Sequence, residues 1–301
     1  MKAASASRRF VLIGHPVAHS LSPVIHRAAY LEQGLSHSYD VVDCPDEAAV
    51  VKVVEALRSG ELAGANVTIP WKRLALKLSD MVTPQVQRVG VANVLVRGAD
   101  GAIVAHNTDV PALAEEFQRL AGSVRRVLVI GNGGSAPAVV AAAQDAGAER
   151  VTLTARKFLP SVPETEWPHV AELVARGVSP LAWPESDARA KSRLREAVAR
   201  IDLIVNCTSA GMTGADDGQK LADIVPWEHI PQSALAYDLI YNPAVTPFLQ
   251  RARSAGLGAE NGLGMLVAQA ALAIELWLSV SPSRPVLMAA AVSELAARGQ
   301  R

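Results

Sequence analysis

The stretch VLVIGNGGSAPAVV carries Gly131, Gly133 and Ala136 in the spacing G-x-G-x-x-A, between a strand-like run and a helix-like one. In that setting the first glycine permits a tight turn and the second lets backbone approach a pyrophosphate. The alanine keeps the helix close to the sheet. Free N–H groups and the dipole at the helix start favour the phosphate charge. The loop Gly131, Asn132, Gly133, Gly134, Ser135 and Ala136 is therefore a candidate dinucleotide site. The next strand-like run, RVTLTARK, ends in Arg156 and Lys157, where a ribose 2′-hydroxyl would need Asp or Glu. A guanidinium and an ammonium attract a 2′-phosphate instead, so the expected cofactor is NADP(H).

Hydride chemistry also needs a group that handles a hydroxyl proton. GANVTIPWK offers Lys72 and HNTD offers Asp109, each just beyond a strand-like run. A lysine near a carboxylate can serve as acid or base when partial burial moves its pKa toward neutrality. Taken singly, each also reads as a surface charge. The seven histidines show neither His-x-x-x-His spacing nor cysteine partners, so no metal site is expected.

A third stretch, GHPVAHSLSPVIH, sets Ser20 and Ser22 either side of one leucine, ahead of Pro23 and an apolar-periodic segment. Ser22 reads as a helix N-cap, with Pro23 at the first helical position. Ser20 has no place in that capping scheme, which leaves open why a second hydroxyl faces the same helix mouth.

These residues need elements to hold them. The chain of 301 residues suggests about two domains. Strand-like runs such as RFVLIG, HSYDVVDC and AGANVTI alternate with helical patterns, which points to an α/β protein with parallel sheets covered on both faces. A boundary near Asn107–Asp109 separates an N-terminal α/β unit from the glycine-bearing one. If the last helices pack on the first domain, the linkers face one cleft. Residues 262–280, with Gln269 and Glu275 inside the apolar run, read as a buried helix and not a membrane span. The run KFLPSVPETEWP, with three prolines, reads as an irregular surface loop.

Basic and acidic residues balance at 29 each, so no general attraction to nucleic acid or anionic membrane is expected. Two distant cysteines, Cys44 and Cys207, argue against a disulfide scaffold and for a reducing, cytoplasmic setting. The N-terminal MKAASASRRF lacks the apolar region of a signal peptide.

Together, GHPVAHSLSP, GANVTIPWK, VGVANVLVR, HNTD, VIGNGGSA, NCTSAGM, YDLIYNP and NGLGMLVAQAALAIELW, in this order, resemble the shikimate dehydrogenase family nearly end to end. The resemblance implies two α/β domains: a substrate-binding, catalytic N-terminal domain completed by the C-terminal helices, residues 1–108 with 262–301, and a Rossmann-type domain for NADP(H), residues 109–261. It implies reduction of 3-dehydroshikimate to shikimate, a small-molecule substrate, and a monomer or homodimer. By motif, the substrate carboxylate falls to Ser20 and Ser22, and the other substrate contacts to Asn66, Thr68, Asn93, Tyr241 and Gln269. Lys72 and Asp109 take the catalytic places. Gly131 to Ala136 and Arg156, with Lys157 beside it, take the cofactor places, and Leu239 and Gly262 line the nicotinamide end.

The sequence also departs from the family pattern. Val94 stands for a usual threonine, Val110 for a glycine, Ala155 for an asparagine, Lys157 for a hydroxyl residue and His15 for a common asparagine. Three readings stay open: shikimate dehydrogenase, a quinate/shikimate dehydrogenase or paralogue on a related cyclohexane carboxylate, and a non-catalytic sensor.

Overall fold

A computed structural model describes residues 7–122, 124–185 and 187–299. The apolar runs become strands and the periodic stretches between them helices. In chain order these are β1 (Arg9–Gly14), α1 (Ser22–Glu32), β2 (Ser38–Asp43), α2 (Glu47–Ser59), β3 (Gly64–Val67), α3 (Lys72–Leu78), β4 (Met81–Val82), α4 (Pro84–Val89), β5 (Val94–Arg97), β6 (Ile103–His106) and α5 (Asp109–Ala121). There follow β7 (Arg126–Ile130), α6 (Ala136–Asp145), β8 (Arg150–Thr154), α7 (Val170–Ala175), β9 (Val178–Leu181), α8 (Ala188–Val198) and β10 (Leu203–Asn206). The chain ends with α9 (Gln219–Ile224), β11 (Leu235–Asp238), α10 (Pro247–Ser254), β12 (Gly258–Asn261), α11 (Leu263–Leu278) and α12 (Arg284–Gly299). Two compact units result, one of residues up to Ala112 with those from Gly264 on, the other Leu113–Leu263.

In the first unit the sheet runs β2-β1-β3-β5-β6-β4. Strands β2, β1 and β3 are parallel, whereas β5 is antiparallel to both β3 and β6. Only residues 98–102 join β5 to β6, too few for a crossover, so this pair turns back as a hairpin. One face of the sheet presents Val11, Ile13, Ala65, Val67 and Leu95 to Val50, Val53, Val54 and Leu57 of α2. The opposite face is aromatic: Phe10 stacks on Trp277 of α11 at 4.8 Å between ring centroids. Gly64 makes this possible, because a Cβ there would lie 2.4 Å from the Trp277 indole nitrogen. That nitrogen donates to the Leu95 carbonyl at 3.1 Å, so the C-terminal helix is fastened to the sheet. No helix among the described residues is long and apolar enough to cross a membrane.

The second unit has a wholly parallel sheet, β12-β11-β10-β7-β8-β9. Read from its first strand, β7, the order is that of a doubly wound dinucleotide fold. Its crossovers diverge between β7 and β10, and ligands of such sheets bind beyond the carboxyl ends of the strands at that point. Leu128, Ile130, Ile204, Leu221, Phe248 and Leu249 lie in its core. The segment read as an irregular surface loop does lie at the surface, apart from one 3-10 turn at Glu164–Glu166, and it is pinned by two buried side chains. Phe158 and Trp167 stack at 4.9 Å with an interplanar angle of 5°, and Trp167 donates to the Leu159 carbonyl at 3.0 Å.

Candidate active site

Lys72 is the first residue of α3, and Asp109 the first of α5, where the helix N-terminus favours a carboxylate. Although 37 residues separate them, Lys72 Nζ meets Asp109 Oδ2 at 2.6 Å, with both side chains buried. Asn93, between them in sequence, donates through Nδ2 to Asp109 Oδ1 at 2.7 Å and to Thr108 Oγ1 at 2.9 Å. Its Oδ1 accepts the Thr108 N–H at 2.7 Å. Asn107 donates to the Val91 carbonyl at 3.0 Å and accepts the Val110 N–H at 3.1 Å. The HNTD segment is thus tied to the strand-entry segment around Asn93, and the carboxylate has one orientation. One of its oxygens carries the ammonium and the other the Asn93 amide, with lone pairs left for a substrate hydroxyl. Sequence reasoning had no role for Asn107 or Thr108. The only trace was their place in a polar run at the end of a strand.

At the serine pair the structure corrects the capping assignment. Helix α1 begins at Ser22, with Leu21 as N-cap and no side-chain cap at that position. The Leu21 carbonyl already accepts the Ile25 N–H at 3.1 Å, so the helix starts one residue earlier than Ser22 as a cap would require. Ser20 takes over the helix mouth: its Oγ accepts the Ser22 N–H at 3.1 Å, and its hydroxyl lies 3.2 Å from Ser22 Oγ. Arg298 of α12 donates to the His19 carbonyl at 2.6 Å, which holds this segment from the far end of the chain.

Asn66, on β3, accepts the Tyr39 hydroxyl at 2.7 Å and faces the Asn93 carbonyl at 3.4 Å. Thr68, just past the same strand, is half-buried. Gln269 of α11 is buried, and its amide nitrogen donates to the Leu266 carbonyl at 2.8 Å. Ser20, Ser22, Asn66, Thr68, Lys72, Asn93, Asp109 and Gln269 all belong to the first unit, whereas Tyr241, half-buried just past β11, belongs to the second.

The glycine loop follows β7, at the point where the crossovers of the second sheet diverge. Gly131 has φ 111°, and a Cβ there would meet Thr208 Cγ2 at 2.8 Å and Cys207 Sγ at 3.1 Å. Only glycine meets both conditions. Gly133 and Gly134 are exposed, and a Cβ on either would enter open space, which leaves room for a pyrophosphate against the backbone. Ser135 gives α6 no side-chain cap; the Ala136 and Ala138 N–H groups bond the Gly133 and Ser135 carbonyls at 3.1 Å and Pro137 has none, so an anion would meet the loop backbone ahead of the helix. Ala136 is buried, as close helix-to-sheet packing requires. Asn132 lies 3.4 Å from the Pro168 carbonyl, linking the loop to the next segment. Arg156 and Lys157 lie exposed beyond β8, with Arg156 Nη1 at 3.8 Å from Asp216. These residues fit a dinucleotide with a 2′-phosphate.

Beside the loop, a knot at the end of β11 fixes the Leu239 segment. Asp238 Oδ1 accepts from Asn206 Nδ2 at 3.0 Å and from the Ile240 N–H at 3.1 Å, and Oδ2 accepts from Thr246 at 2.6 Å. Burial pushes the Asp238 carboxyl up to about 6, against the pull of these donors. Burial and the nearby Asp238 charge push the Cys207 thiol to about 12, and it donates to the Ile130 carbonyl at 3.1 Å. At Gly262, a Cβ would lie 2.2 Å from the Leu239 carbonyl oxygen, so the two backbones touch only because this residue is glycine.

Comparison with known proteins follows the same lines. A profile described as the shikimate dehydrogenase substrate binding domain matches residues 12–95, and one described as the shikimate 5′-dehydrogenase C-terminal domain matches residues 262–292. The shikimate dehydrogenase (NADP(+)) of Symbiobacterium thermophilum is 35% identical over 288 residues, 94% of this chain and 93% of that protein. Its counterpart in Methylobacterium radiotolerans is 35% identical over 299 residues, 97% and 99% of the two chains. Among solved structures, the shikimate 5-dehydrogenase of Thermus thermophilus in complex with NADP(H) and shikimate has a TM-score of 0.78 at 33% identity, covering 95% of this chain and 99% of that one.

Proposed function

This chain belongs to the shikimate dehydrogenase family, and we propose that it catalyses the reversible reduction of 3-dehydroshikimate to shikimate with NADPH. The observation that carries the reading is the buried Lys72–Asp109 pair, 2.6 Å apart and braced by Asn93. In the reductive direction Lys72 gives a proton to the carbonyl oxygen as its carbon receives hydride. In the oxidative direction the neutral amine takes that proton back. Asp109 accepts a hydrogen bond from the same hydroxyl and keeps the lysine aimed at it. When bound, NADPH supplies the hydride; Gly131 to Ala136 would hold its pyrophosphate, and Arg156 and Lys157 its 2′-phosphate. Ser20 and Ser22 donate to the substrate carboxylate, and Asn66, Thr68, Asn93 and Gln269 serve its hydroxyls. We place the activity in the cytoplasm, where the buried free thiols of Cys44 and Cys207 stay reduced.

A steady-state assay of nicotinamide absorbance tests the reading, with shikimate and quinate each paired with NADP⁺ and NAD⁺. Turnover of shikimate with NADP⁺ is expected. Silence on all four pairs would mean a binding protein and not an enzyme. The quinate alternative has one observation in its favour. Val94, in place of a hydroxyl residue, is fully buried directly across from Asn66, which removes a polar partner beside a proposed substrate contact. A lower KM for quinate than for shikimate would move the assignment there.

Two variants probe the binding groups. Arg156→Ala should weaken NADP⁺ far more than NAD⁺, on the order of 1.5–3 kcal/mol for a lost charge-assisted contact. Equal weakening of both cofactors would remove the 2′-phosphate role. Ser20→Ala should raise KM for shikimate and also lower stability by about 1 kcal/mol, because the same oxygen holds the α1 mouth. A stability loss with unchanged KM would leave Ser20 as a cap only.

A further inference from the structure

We propose that Tyr39 is a positioning residue for the substrate: its buried phenol sets which way the Asn66 amide points, and so which groups Asn66 offers. The inference rests on Asn66 being a substrate contact. The directions follow from which groups can donate. The Asn93 carbonyl can only accept, so the amide nitrogen of Asn66 faces it, at 3.4 Å. The amide oxygen therefore faces Tyr39, whose hydroxyl must donate to it, at 2.7 Å. Hydrogen bonds thus run in one direction from Tyr39 through Asn66 to the Asn93 carbonyl, and the side-chain amide of the same Asn93 grips Asp109.

Tyr39 suits this role because neither its ring nor its proton is free to move. It is fully buried, and the His26 ring lies flat on it, with centroids 3.8 Å apart and 13° between planes. His26 has both ring nitrogens buried without partners, and burial holds its pKa down to about 3, so it backs the phenol as a neutral slab. Burial, with the neighbouring Tyr30, raises the Tyr39 hydroxyl well above the ordinary phenol range, and it stays a donor at every working pH. The 3.4 Å contact to Asn93 is long, so the phenol is the firmer of the two restraints on the amide. Fixed this way, Asn66 has its second N–H left to offer, which suits a hydroxyl or carbonyl oxygen of the substrate.

The test is Tyr39→Phe in the full-length enzyme, which removes the hydroxyl and keeps the stacked ring. KM for shikimate should rise about tenfold, the effect of one lost hydrogen bond, with kcat and KM for NADP⁺ little changed and a modest fall in thermal midpoint from the unpaired Asn66 oxygen. In the Asn66→Ala background the same substitution should have no further effect on KM, because its target is gone. A rise in KM for Asn66→Ala with none for Tyr39→Phe overturns the positioning role alone. An unchanged KM for Asn66→Ala removes the substrate contact and overturns the inference with it. Equal Tyr39→Phe effects with and without Asn66 would mean general loosening and overturn it too.

Discussion

Lys72→Met should lower kcat for shikimate oxidation by roughly 10²–10⁴-fold, the usual contribution of a positioned acid or base, with a small change in KM. The split follows from the geometry: the ammonium is committed to Asp109 at 2.6 Å, and its proton matters most when charge develops on the substrate oxygen. The variant also leaves a buried carboxylate without its cation, which costs about 3–5 kcal/mol. Activity could then be lost through unfolding alone, and a second variant separates the two causes. Replacing both partners, as Lys72→Met with Asp109→Leu, removes the unpaired charge, and apolar replacement of a buried ion pair is often neutral or stabilising. The double variant should recover the thermal midpoint and remain inactive. Activity recovered together with stability would show that the pair is structural.

Asp238→Asn is expected to stabilise the protein at pH 8 by up to about 3 kcal/mol and to have little effect near pH 4. The native carboxyl titrates at about 6, above the ~3.9 of an unfolded chain. The native state therefore holds this proton more tightly. The stability linked to it is complete below pH ~4 and is lost as pH rises through about 6. An amide fits the same knot without a proton. Its oxygen keeps the Asn206 and Ile240 donors, which both reach Oδ1, and its nitrogen, in place of Oδ2, donates to the Thr246 hydroxyl. Denaturant midpoints of wild type and variant at pH 5 and pH 8 decide the matter. A gain independent of pH, or a loss at pH 8, would mean that the ionised form is what the knot is built for.

The glycine turn, the basic end of β8, the serine pair and the Lys72 and Asp109 segments were all legible in the sequence. Each is a local pattern with a chemical reading, although Lys72 and Asp109 taken singly also read as surface charges and Ser22 as a helix cap. The alternation of strands and helices was legible for the same reason, since periodicity reports one element at a time. Where local reasoning failed, a non-local partner had intervened. Ser22 looked like a cap, but the helix start and the Ser20 hydroxyl settled the mouth differently. The proline-rich run is the surface loop its composition suggests, but the stacked pair Phe158 and Trp167 that pins it was not legible. Tyr39 and His26 carried no signal beyond that of a strand aromatic and a helix histidine, because their stacking joins two different elements.

By itself, then, the sequence determined the chemistry available: a glycine turn between strand and helix, two basic residues after the next strand, a lysine and a carboxylate. Tertiary structure decided what those groups are paired with. Lys72 and Asp109 become a pair only because their two helices start within reach of one another, with Asn93 between them. The direction of the hydrogen bonds through Tyr39, and the proton held by Asp238, likewise depend on burial and on partners from distant strands. Burial and hydrogen-bond direction belong to neighbours in space, and no window along the chain contains them.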